Sequence, residues 1–215
     1  MLRFSGLKPL LLSLLLVHSA TAVGVEIQVF DNNNSPLVNA AVWLTAPELP
    51  SVGAKINYQM TQQDKTFAPH VLMIPTNSQV AFPNLDPILH HVYSFSAAKS
   101  FELKLYKDEP KQVLFERSGI VELGCNIHDW MLGYIVVVPS NFFALTDSEG
   151  KVDIALPEPS IDQVQMHVWH ERFSDIAQVE SISWSQIDNN RQVEYVIKQP
   201  LLAPLEDFSS EFDNY

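Results

Sequence analysis

From Val23 to Lys198 the chain is written almost wholly in apolar stretches of strand length, separated by turn-forming residues. VEIQVF alternates apolar and polar positions, DNNNSP follows as a polar turn, and LVNAAVWLTA resumes the extended pattern. Alternation with period two buries one face of a pleated strand, and Asn, Ser and Pro supply the turn, so this segment reads as a hairpin. INYQMTQQ, HVLMIP, QVAFPN, HHVYSF, FELKLY, KQVLFE, IVELGC and GYIVVVP continue in the same style. After Pro139 come FFALT, VDIAL, QVQMHVWH, IAQVESISW and RQVEYVIK. Helical periodicity is nearly missing; AAKSFELKL is the one stretch that suits a short helical turn. The predicted fold class is all-β, built as sandwiches.

Two segments fall outside that pattern. MLRFSGLKPLLLSLLLVHSATA places Arg3 and Lys8 before an apolar run, Leu10 to Val17, and ends on the small residues Ala20-Thr21-Ala22. That is the layout of a cleavable export signal, residues 1–22, with cleavage expected after Ala22. The apolar run is too short to span a bilayer comfortably, and no later stretch is long enough, so no membrane span is expected once the signal is removed. The implied location is periplasmic or secreted. At the other end, residues 200–215 combine prolines with four acids and no base, and read as an acidic, flexible tail. The full chain carries a net charge of −12; loss of Arg3 and Lys8 with the signal makes it −14. Such a surface argues against nucleic acid, whose phosphates need Lys and Arg, and suits a basic partner.

The one cysteine, Cys125, is the most informative residue for chemistry. Exported proteins pair their cysteines, and a single one cannot form an internal disulfide. It lies in GCNIHDWM, followed by His128 and Met131 at intervals of three, on a short loop between the strands IVELGC and GYIVVVP. LHHVYSF, at the start of an earlier strand, supplies a further imidazole. His90 and His91 face opposite ways there, so only one of them can enter the site. Two imidazoles, a thiolate and a weak thioether form the donor set of a mononuclear blue-copper centre. Structural zinc sites favour several cysteines or acids, and methionine is unusual among their ligands. His167 and His170, three apart on a strand, make a poor metal pair.

C-x2-H-x2-M between two strands, with a histidine upstream, resembles the cupredoxins, with a short ligand loop most like that of amicyanin. The wider text FPNLDPILHHVYSF … FELKLY … GCNIHDWMLGYIVVVP is similar to bacterial plastocyanin-like proteins of the methylamine-utilisation type, over roughly residues 56–139. The resemblance implies a Greek-key sandwich and one copper ion held by His90, Cys125, His128 and Met131, Met131 being axial. It also implies single-electron transfer with a redox protein partner rather than enzymatic turnover, although the chain could serve as an electron-entry subunit. Three letters depart from the family pattern: His91 stands where an asparagine is usual, Ile127 where a proline often precedes the loop histidine, and Asp129 follows His128. The first puts a hydrogen bond behind the cysteine loop in doubt. The His-Cys-His tripeptide of multicopper oxidases is missing, and one cysteine cannot build a binuclear thiolate centre.

The flanks resemble a second family. VEIQVFDNNNSPLVNAAVWLTA is similar to the opening of carboxypeptidase-regulatory-like, or transthyretin-like, sandwiches, and FALTDSEGKVDIALP … VQMHVWH is similar to their later part. The resemblance implies a cupredoxin domain, 54–139, inserted in a discontinuous sandwich of residues 23–53 plus 140–199. One elongated sandwich with extra edge strands is the simpler alternative. Two other functions fit the same residues: copper delivery with the metal as cargo, and an adhesion or assembly module on a cupredoxin scaffold.

Overall fold

The computed structural model describes residues 22–47, 49, 57–157, 163–184 and 192–204. Residues 1–21 of the export signal and 205–215 of the tail lie outside the described residues. No helix occurs among the described residues, and none is long and apolar enough to cross a membrane. The strands are β1 (Ala22–Phe30), β2 (Ala41–Thr45), β3 (Tyr58–Gln59), β4 (Thr61–Gln63), β5 (Thr66–Ala68) and β6 (Val71–Pro75). Then come β7 (Ser78–Phe82), β8 (His90–Phe95), β9 (Ser100–Tyr106), β10 (Lys111–Phe115), β11 (Gly119–Cys125) and β12 (His128–Val138). The last are β13 (Phe143–Leu145), β14 (Lys151–Pro157), β15 (Val164–Trp169), β16 (Glu180–Trp184) and β17 (Gln192–Val196). The fold is all-β.

The middle of the chain forms one core. A five-stranded sheet, in the order β6-β12-β11-β8-β9, faces a three-stranded sheet, β10-β7-β3, and the small hairpin β4-β5. Between them lies a cluster containing Phe82, Val92, Phe115, Leu123, Cys125, Met131 and Ile135. AAKSFELKL contains good helix formers, yet Ser100–Tyr106 is an edge strand paired with β8. Alternate burial of Phe101 and Leu103 against this core decides the outcome over local propensity.

The two ends of the chain build a second core together. β14-β1-β17 and β13-β2-β15-β16 are the sheets around it. β1 lies antiparallel to β14 and parallel to β17, and β2 lies antiparallel to β13 and β15. β1 and β2 therefore belong to different sheets and do not form the expected hairpin. Only Phe30 and Pro36 pair across the polar turn; the chain then turns through Asn39 at φ 59° and crosses to the opposite sheet. TDSEG explains why these distant pieces lock. Thr146 Oγ1 accepts from the Ala40 N–H at 2.9 Å and donates to the Leu37 carbonyl at 2.5 Å. Asp147 closes its own turn by accepting from the N–H groups of Glu149 and Lys151. Gly150 sits at φ 71°, where a Cβ would lie 2.5 Å from the Val29 carbonyl oxygen, so only glycine fits.

The two cores share one wall. Val71, Met73, Ile120, Tyr134, Val136 and Val138, on the outer face of β6, β11 and β12, belong to the same apolar cluster as Val42, Met166 and Trp169. Chain entry and exit lie side by side: the Leu44 N–H donates to the Phe142 carbonyl at 2.9 Å, and Ser140 Oγ donates to the Leu44 carbonyl at 2.6 Å.

Candidate metal centre

Cys125 closes β11 and His128 opens β12, with only Asn126 and Ile127 in the turn between them. Val121, Leu123 and Cys125 keep the inward parity of β11, so the thiol enters the core and is 2% exposed. The ladder slips by three residues of β12 at Gly124/Cys125, which lets His128 rather than Met131 pair beside Cys125; an irregularity of this kind re-aims the side chains around it. Strand parity also selects between the two histidines of β8. His90 points inward and is fully buried, whereas His91 turns outward, with Nε2 2.9 Å from Glu102 Oε1.

Three donors converge. Cys125 Sγ lies 3.7 Å from His90 Nδ1 and 3.7 Å from His128 Nδ1, and all three atoms lie within 4.8 Å of one another. An ion about 2.0–2.3 Å from each donor in a trigonal plane spaces those donors by about 3.7 Å. Both sulfur–nitrogen spacings match that dimension, and the two nitrogens lie within 4.8 Å of each other. Met131 is 2% exposed, belongs to the same core cluster as Cys125, and borders the same cavity. His128 is half-buried, with Trp130 beside it at a ring-centroid distance of 5.3 Å. His167 packs on Trp43 and bonds Thr45 and Ser181, and His170 bonds the Val38 carbonyl, so neither approaches this site.

Asp86 is the residue that motif reading passes over. Its Oδ2 lies 2.7 Å from His90 Nε2, and its two oxygens accept from the backbone N–H groups of Asp64 at 2.7 Å and Lys65 at 3.0 Å. Those N–H groups are aimed by the β4–β5 turn, where both residues have left-handed φ, 53° and 55°. A carboxylate facing Nε2 puts the imidazole proton there, which leaves the Nδ1 lone pair directed at the sulfur. This is the orienting contact that metal-binding histidines usually make. Asp86 sits four residues before His90 in FPNLDPILHH, inside a loop, where no strand parity marks it.

Electrostatics favour the metal-ready forms of Cys125 and His128, while His90 is drawn towards its protonated form by its two anionic neighbours. Burial pushes the Cys125 thiol up, but the His90 imidazole and the backbone N–H groups of His91 and Ile127 pull it down further, so the net direction is towards thiolate. His90 is lowered by burial and raised by more through Cys125 and Asp86. His128 is lowered by burial and by the nearby charges of His90 and Lys65, which keeps it neutral with a free lone pair. The cysteine loop is steadied through the backbone, since Asn126 N–H donates to the His91 carbonyl at 3.1 Å. A histidine at position 91 therefore leaves the loop tethered.

Fold and site together describe an all-β protein with a buried His–Cys–His donor pocket. No protein-family model and no curated protein matches the chain. Solved structures to which it is similar include cupredoxins and a copper enzyme. The purple cupredoxin of Nitrosopumilus maritimus shares 21% identity, over 38% of this chain and 99% of that one, at a TM-score of 0.33. Amicyanin from Paracoccus versutus shares 15%, over 44% and 97%, at 0.34. The copper-containing nitrite reductase of Thermus scotoductus shares 22%, over 51% of this chain and 28% of that one, at 0.37.

Proposed function

We propose that the protein is an extracytoplasmic type 1 copper protein that carries single electrons between redox partners. The observation that carries this reading is the convergence of His90 Nδ1, Cys125 Sγ and His128 Nδ1 at the spacing one metal ion needs, with Met131 buried beside them. Thiolate and thioether suit Cu(I) and imidazole suits both oxidation states, so this donor set supports a one-electron couple when copper is bound. The chain's own residues do the rest. Asp86 fixes the His90 tautomer, the packed core holds Cys125 and Met131 in place, and the 85–89 and 126–127 loops lead directly into His90 and His128. Leu85, Leu89 and Ile127 are exposed on those loops and offer an apolar contact for a transient redox partner.

The remainder of the chain supports that role as a frame. We assign residues 54–139 to a cupredoxin domain and residues 23–53 plus 140–199 to a carboxypeptidase-regulatory-like sandwich around it. The export signal, residues 1–22, delivers the protein to the periplasm or the exterior. Delivery of copper as cargo requires easy release, and fully buried His90 with nearly buried Cys125 favours a resident ion instead. Copper-loaded, oxidised protein should absorb strongly at about 600 nm, as a thiolate-bound type 1 centre does. Cys125→Ser should abolish that band. A colourless copper complex of the unsubstituted protein would refute the reading.

A further inference from the structure

The outer face of the five-stranded sheet is covered over only half its width. Val71, Met73, Tyr134, Val136 and Val138 lie against the second core. Past Glu122 and Gly124 the same face continues onto β8 and β9, and none of the described residues covers it. His91, Tyr93 and Phe95 form an aromatic stripe there, successive outward residues of one strand. Ring centroids are 6.4 Å apart between His91 and Tyr93, and 5.1 Å between Tyr93 and Phe95. Phe95 is 83% exposed, the highest value among the described large apolar side chains. The Tyr93 ring rests on Gly124, where a Cβ would come within 2.7 Å of its Cζ. The stripe thus lies directly over the backbone that leads into Cys125.

Concave space flanks Phe95 on both sides. One hollow of about 550 Å³ is bordered by His91, Tyr93, Phe101 and Glu102, and another of about 460 Å³ by Glu122, Asp129, Leu132 and Ile176. Ile176 belongs to the connection between β15 and β16, so the second hollow follows the seam between the two cores. The charges around the stripe are mostly negative: Glu102, Glu122 and Asp129, with His91 paired to Glu102. Lys104 is the next outward residue of β9, beyond Glu102.

We propose that this uncovered face, centred on Tyr93 and Phe95, is a docking surface for a protein partner that presents lysine or arginine side chains. Aromatic faces ringed by carboxylates attract such cations both through the ring quadrupole and through charge. A second copy of this chain does not fit the face. The chain carries −12 overall, and a two-fold contact would set Glu102 and Glu122 against their own equivalents. The second hollow is also bordered by Cys125 and Met131 and so adjoins the metal site, whereas the first hollow has none of the metal donors on its border.

Titration of the full, isotope-labelled chain with pentalysine at low salt, followed by amide NMR, tests the proposal. The expected result is saturable shifts at residues 93–95, 100–102 and 122–124 in the metal-free protein, and no such shifts with pentaglutamate. Phe95→Ala should weaken pentalysine binding by about two- to fivefold. The double variant Glu102→Gln/Glu122→Gln should weaken it by about three- to tenfold. Shifts confined to residues 85–89 and 126–128, or to the acidic stretch 205–215, would overturn the assignment. So would indifference to all three substitutions, or light scattering that shows a dimer dissociated by Phe95→Ala.

Discussion

Replacing Asp86 by asparagine keeps the size of the side chain and removes its charge, and the three donors around it set the cost. The carboxylate is 7% exposed and accepts three hydrogen bonds, from Asp64 N–H, Lys65 N–H and His90 Nε2–H. An amide has one oxygen to offer. With that oxygen in the Oδ2 position, the Lys65 and His90 bonds survive without charge assistance, and the amide NH2 faces the Asp64 N–H, donor against donor. With the amide reversed, the Asp64 bond survives, and His90 must move its proton to Nδ1 or leave Nε2–H unpaired. The first arrangement costs less. An unmet buried donor is worth about 1–3 kcal/mol and lost charge assistance about 1 kcal/mol for each of the two remaining bonds, so the total is about 3–5 kcal/mol. With a urea slope of about 3 kcal/mol/M, the upper end of the usual range because the slope grows with chain length, the unfolding midpoint of the metal-free protein should fall by about 1–2 M. Copper affinity should fall by about 10- to 100-fold, because His90 loses its anionic anchor. A midpoint and an affinity both unchanged in Asp86→Asn would refute the argument that this carboxylate holds the site.

Two other predictions concern pairs that join distant parts of the chain. His70 Nε2 bonds the Glu171 carboxylate across the seam between the cores; the bond holds His70 above its ordinary pKa and Glu171 below its own. The histidine's contribution is complete below its unfolded value of 6.5 and is lost as pH rises through the higher folded value. The glutamate's is complete above 4.5 and is lost as pH falls through the lower folded value. His70 is 47% exposed, so the pair is worth about 0.5–1 kcal/mol, or about 1–4 °C in melting temperature. Melting curves of wild type and His70→Gln should differ by that much at pH 6 and coincide at pH 9; an equal gap at both values would exclude the pair as its cause. Thr146→Val, an isosteric change, strands the Ala40 N–H and the Leu37 carbonyl and should cost about 2–3 kcal/mol in urea unfolding, while Thr146→Ser should stay close to wild type. If Thr146→Val is as stable as wild type while Thr146→Ser is damaged, the methyl group and not the hydroxyl locks the junction.

Local chemistry is what a sequence states most clearly, and this chain follows that rule. Strand content is legible because alternation is a property of neighbours. Cys125 and His128 are legible together because two residues separate them, and the choice of His90 follows from parity along β8. Asp86 is not legible, since its role depends on the β4–β5 turn more than twenty residues earlier delivering two N–H groups to it. The separation of β1 from β2 is also invisible locally. Both strands alternate and a polar turn joins them, but β14 and β17, over a hundred residues away, take the positions beside β1. Helix formers in AAKSFELKL lose to burial of Phe101 and Leu103, and that too is a tertiary outcome.

The side-by-side entry and exit at Leu44 and Phe142 have a thermodynamic meaning for the core between them. While the flanking sheets remain folded, the 97 residues from Thr45 to Asn141 cannot unfold into a free coil; they open only into a closed loop pinned at both ends. A covalent bridge across a loop of that length removes about 4–5 kcal/mol of conformational freedom from the unfolded state. Here strand pairing does the work of such a bridge, in a chain with one cysteine and therefore no disulfide of its own. The stability of the metal-binding core is thus set partly outside it, and loosening the flanking sheets would raise the disorder available to residues they never touch.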